Sequence, residues 1–180
     1  MNQRPALVCA GIFVLLVAVA AGSRLVDAAP NFAAVGAAAL FAGFLFRSRV
    51  AACAVPVAAM LVSDALIGFY NPALMAAVYG SFIASAFLGR LIQRRPGVPA
   101  VAAGALASAS LFFVVTNFAV WLTGSYGLTV DGLVRCFVAA LPFFKYTLAG
   151  DVCYAAAFFG AAALARSLRG AASPAAIALR

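Results

Sequence analysis

Six apolar stretches, each near the length a helix needs to cross roughly 30 Å of hydrocarbon, fill most of this chain and leave little else to fold. They fall near 5–22, 31–46, 50–69, 73–92, 98–122 and 143–167. Apolar residues make up 67% of the sequence and charged residues 9%, too few to cover a water-facing globule of this size. The expected fold is therefore all-α: one integral membrane bundle of six transmembrane helices spanning residues 1–180. Asn31 follows Pro30 as a candidate N-cap of the second span, and Asn71-Pro72 reads as a cap with proline in the first turn of the fourth. The segment from Thr129 to Leu141 is too short to cross and carries Asp131 and Arg135, so it predicts a short interfacial helix ended by Pro142 before the last span.

Charge placement orients these spans. Twelve Lys and Arg oppose four Asp, for a net charge of +8. Nine of the twelve lie in Arg4, Arg47, Arg49, Arg90, Arg94, Arg95, Arg166, Arg169 and Arg180, at the termini and in alternate short connections. Nucleic acid is thus not the expected partner; the lipid bilayer is. Both termini are expected in the cytoplasm, with Arg24 outside and Arg135 and Lys145 near the outer surface. The first stretch also has the outline of a cleavable signal, with Ala18-Val19-Ala20 as the site, which leaves the other five orientations unchanged. Small residues four apart, such as Ala6/Ala10, Ala39/Gly43 and Gly80/Ala84, provide faces on which helices approach closely in lipid.

The inventory limits chemistry. The chain has neither His nor Glu, its four cysteines show no C-x-x-C spacing, and it has no G-x-x-x-x-G-K-[ST] phosphate loop. No metal site and no cofactor is expected, and ATP would have to be used by a partner. Asp64 and Asp151 invite comparison with an intramembrane aspartyl protease, but Leu148-Ala149-Gly150-Asp151 lacks the first glycine of the G-x-G-D pattern, and the expectation is a non-enzyme.

The polar side chains gather in the outer half. Ser110, Phe113, Asn117 and Trp121 share one helical face, and Phe144, Thr147, Asp151, Tyr154 and Phe158 share another. Hydrogen-bonding groups interleaved with rings fit a cavity for a small polar or heteroaromatic molecule. The candidate ligand-binding residues are Asn31, Asp64, Tyr70, Asn117, Trp121, Lys145, Thr147, Asp151 and Tyr154. The expected cavity lies among helices three, five and six, under the 23–30 and 123–142 segments, with one of Phe112 and Phe113 facing lipid. The competing structural reading pairs Asp64 or Asp151 with Lys145 or Arg135 and makes the Trp and Tyr residues an interfacial belt.

The segments Pro30–Phe46, Val55–Tyr70, Val78–Phe82, Leu111–Trp121 and Leu141–Asp151 resemble an uncharacterised family of small bacterial inner-membrane proteins. The chain departs from that pattern at Ala33-Ala34 and near Tyr146. The order of features also resembles the substrate-binding S-components of energy-coupling-factor (ECF) vitamin transporters. That resemblance implies an outward-facing pocket for a vitamin-like molecule, uptake driven by a coupling subunit and ATPases, and docking through Ala6 and Ala10 of an A-x-x-x-A pattern. The alternative expectation is a structural or assembly subunit of a membrane complex, with no small-molecule ligand.

Overall fold

A computed structural model describes residues 4–26 and 29–171, with side chains for 7–26 and 29–168. Six helices run up and down: α1 (Arg4–Leu25), α2 (Val35–Leu45), α3 (Arg49–Ile67), α4 (Pro72–Ile92), α5 (Val98–Leu122) and α6 (Val130–Ala171). All but α2 are long and apolar enough to cross a membrane. The bundle is thus all-helical among the described residues, as the apolar periods require.

The shortest helix is the centre. At 11 residues, α2 is about 16 Å long. It packs against each of the other five helices, while α1, α3, α4, α5 and α6 succeed one another around it. Its sequence, VGAAALFAGFL, explains the position: Ala and Gly let surrounding backbones come close, and every residue from Val35 to Gly43 is buried. A Cβ on Gly43 would collide with the Ala86 carbonyl of α4, and one on Gly89 of α4 would collide with the Leu40 carbonyl of α2. The Ala39/Gly43 pair is thus used for a helix crossing. The Gly80/Ala84 pair is not, since open space lies beside Gly80. In α1, Ala10 is exposed and the Ala6 side chain lies outside the described residues.

A short buried helix still has eight backbone groups to satisfy at its ends. Neighbouring helices supply part of that need. At the N-terminal end the Ser23 hydroxyl of α1 accepts the Ala34 N–H at 2.8 Å, and the Asp151 carboxyl of α6 lies beside Gly36 and the Ala37 amide. At the other end Gln93 donates to the carbonyls of Gly43 and Phe44, at 3.2 and 2.5 Å, and Arg90 to those of Phe46 and Arg47, at 3.4 and 3.2 Å.

Two expected boundaries move. The second helix begins at Val35, not at 31, because residues 29–34 form an irregular turn in which Asn31 is left-handed (φ 62°), a conformation asparagine tolerates. Asn31 is therefore not a cap; the capping position is Ala34, which makes no side-chain cap bond. Nor does Pro142 end the interfacial helix: α6 runs unbroken for 42 residues. Proline removes one backbone donor, and the turns on either side carry the helix through, as they do in other membrane spans. Asn71 does cap α4, its Oδ1 accepting the N–H groups of Ala73 and Leu74 at 2.9 and 3.3 Å.

Candidate binding cavity

The ends of α1, α3 and α5 and the starts of α2, α4 and α6 meet at one end of the bundle, where two adjoining cavities open. The larger, about 350 Å³, is lined by residues from all six helices and by the 29–33 turn and Tyr70. The smaller, about 200 Å³, lies between α5 and α6. Asn31, Phe112, Thr116 and Thr147 border both, so the two form adjoining chambers.

Of the expected site residues, Asn31, Tyr70, Asn117, Thr147 and Asp151 line this space. Tyr70, in the connection between α3 and α4, has its phenol pKa raised by burial, with the Asp64 charge adding and Arg24 opposing. Asp151 is 4% exposed, with Ser108 facing it. Behind it, Ser108 of α5 and Ser85 of α4 are joined at 2.9 Å, forming a buried file of hydroxyls that leads across the bundle towards the carboxyl. The carboxyl occupies the place where a side chain at residue 36 would be, which is why that position is glycine.

Four expected residues lie elsewhere. Asp64 is 1% exposed and borders neither cavity: its Oδ1 accepts from Arg24 at 2.6 Å and its Oδ2 from the Tyr79 hydroxyl at 2.8 Å. Arg24 also donates to Ser63. Trp121 points its indole N–H at the carbonyls of Gly127 and Thr129, at 3.0 and 3.2 Å, tying down the turn between α5 and α6. Lys145 is exposed, its ammonium 4.8 Å from the centre of the Tyr146 ring. Tyr154 packs on Phe32 and Phe158, with ring centres 5.8 and 6.3 Å away, one turn below the cavity wall.

The expected pairing of Asp64 or Asp151 with Lys145 or Arg135 is likewise corrected. Asp64 pairs with Arg24, and Arg135 pairs with Asp131 four residues earlier on the same exposed helical face at 2.6 Å. Both oxygens of Asp64 are thus taken, by Arg24 and Tyr79.

Sequence reasoning missed the neighbouring stripe on α5. Phe112, Thr116 and Val120, each one residue before a member of the expected face, line the larger cavity. Phe112 and Phe113 both border the smaller one, so neither is given up to lipid: Phe112 stacks on Phe82 at 5.0 Å, and Phe113 packs against Phe144 at 4.9 Å. The walls also take in α1, α2 and α4, through Ser23, Arg24, Gly36, Leu74 and Val78. Of the expected cover, Asp27 and Ala28 lie outside the described residues, and the 123–129 turn borders neither cavity.

A protein-family description, Family of unknown function (DUF6580), matches residues 5–174. The chain belongs to this family. No curated protein and no solved structure matches the DUF6580 chain. The DUF6580 match covers all six helices but for Arg4, and every residue bordering the two cavities, so the site lies within the family's own domain.

Proposed function

We propose that this protein captures a small molecule at the membrane, in a cavity that faces outward, and hands it on for uptake. One observation carries the reading: a buried carboxyl, Asp151, borders a cavity of about 350 Å³ whose other walls mix hydroxyls, an amide and aromatic rings. That volume is at the lower end of the roughly 300–1,000 Å³ of small-molecule sites. Burying a carboxyl at membrane depth costs about 2.5–3.5 kcal/mol on insertion scales, a cost hard to explain for an empty interior. The placement of basic residues supports cytoplasmic termini in a bacterial inner membrane, with the cavity end outside. The resemblance to ECF S-components supports a vitamin-like ligand and a separate coupling subunit with ATPases, since this sequence carries no phosphate loop.

The test is to purify the protein in mild detergent, denature it and analyse what is released by mass spectrometry. A near-stoichiometric small molecule, lost in Asn117→Leu while the melting temperature is kept, is the expected result. A protein that releases nothing and binds nothing fits the assembly-subunit reading instead. Orientation is checked separately: a cytoplasmic reporter fused at Gln93 should be active and one at Gly124 silent.

A further inference from the structure

The ligand's charge and hydrogen-bonding character follow from which polar groups on the cavity wall are already spent. Thr116 donates its hydroxyl to the Phe112 carbonyl at 2.7 Å, and Thr147 donates its own to Phe143 at 3.3 Å. Asn117 donates from Nδ2 to the Phe113 carbonyl at 2.7 Å. A carbonyl can only accept, so both hydroxyl protons are used within their own helices. Oxygen lone pairs remain for the cavity from the two threonines and from Asn117 Oδ1, beside the Asn31 amide and the Tyr70 hydroxyl, which can each donate or accept. Asp151 adds a carboxyl, which also accepts when ionised.

The charge tally points the same way. Arg24 is the basic residue bordering the larger cavity, and its guanidinium is held by Asp64. Arg135 is held by Asp131, and Lys145 stands exposed beside Tyr146. Among the described residues, no cation pairs with Asp151. The stacked Phe82 and Phe112 rings complete the wall, and ring faces attract cations.

Resting on the capture reading above, we infer that the molecule taken up is a compact organic cation, an N–H-bearing amine or amidine on a flat ring. Its charged group sits at Asp151, and its ring lies along Phe112 towards the smaller chamber. Among the described residues bordering the cavities, an anionic carboxylate or phosphate finds no cation that is not already paired, and a neutral molecule lacks the charge that would answer Asp151.

Three probes of one shape and different charge test this on the unmodified protein in lipid nanodiscs: benzamidinium, benzamide and benzoate, each titrated by calorimetry. Benzamidinium is expected to bind at least tenfold more tightly than benzamide, with benzoate weakest. Asp151→Asn should abolish that order, and Thr116→Val should weaken benzamidinium without reversing it. Because the series is read first on the wild type, it decides the matter even where Asp151→Asn fails to fold. Benzamide or benzoate binding as well as benzamidinium overturns the cation and leaves capture standing, and a preference that persists in a folded Asp151→Asn overturns the role of Asp151. If no probe binds, the molecule released from the purified protein decides: a cation supports the inference, and a neutral or anionic molecule overturns it. No probe bound and nothing released defeats the capture reading as well.

Discussion

The surroundings of Asp64 and of Asp151 are two solutions to the same problem, a carboxyl buried in an apolar bundle. Asp64 is closed off. Arg24 and Tyr79 reach it from two other helices, and α1, α3 and α4 are thereby tied together at one end. Asp151 is buried almost as deeply, yet among the described residues it meets the Ser108 hydroxyl and a helix terminus and no cation, with a cavity in front of it. The first arrangement stabilises the fold only while both partners are present; the second leaves acceptor capacity for something else. A buried charge with a complete set of partners is structural, and one facing a cavity is where binding should be sought.

The comparison can be broken most severely at Arg24. Arg24→Met strands the Asp64 carboxyl and is expected to cost about 3–5 kcal/mol, seen as a large fall in melting temperature in detergent. Arg24→Met with Asp64→Asn should recover part of that loss. If the single variant melts like the wild type, Asp64 is not the structural member of the pair. The next effect belongs to the other side. Gly36→Ala puts a methyl where the Asp151 carboxyl lies, and overpacking of that kind costs about 1–3 kcal/mol. Binding should fail with it, which sets this variant apart from a packing change remote from the cavity.

Asp151→Asn is milder. It weakens the negative charge at the start of α2, a contribution of about 0.3–1 kcal/mol, while binding falls by tenfold or more. A stability loss as large as that of Arg24→Met would make the two aspartates equivalent. Smallest of all is Lys145→Met. The exposed ammonium pairs with neither buried aspartate, so stability should stay within about 0.5 kcal/mol of the wild type, and the change should give no rescue of Asp151→Asn in a thermal-unfolding series.

Much of this was legible in the chain itself. The apolar runs and the breaks at Asn71-Pro72 and around Pro96 placed five of the helices to within a few residues, because in lipid a helix must satisfy its own backbone and its length is set by the bilayer. Five of the nine expected site residues border the cavity, since polar groups in such a bundle have few places to gather. The errors have more than one cause. Asp64 is taken up by Arg24 and Tyr79, and Tyr154 lies one turn below the cavity wall. Trp121 and Lys145 face away from the cavity, and the Phe112–Thr116–Val120 stripe lies one residue away from the expected one. Depth follows from counting along a helix, whereas facing depends on the rotation of each helix against its neighbours.

The sequence by itself determined an all-helical bundle, the alternation of its helices and the end at which its polar groups collect, all of which depend on apolar length and charge placement along one dimension. Tertiary structure alone decided that the shortest helix stands at the centre, because Gly43 and Gly89 let two backbones touch and side chains of α1, α4 and α6 serve both its ends. It alone decided that Arg24 belongs to Asp64, 40 positions away, and so left Asp151 facing the cavity. Partnership between buried charges is set by which helices are neighbours, and no spacing along the chain encodes that.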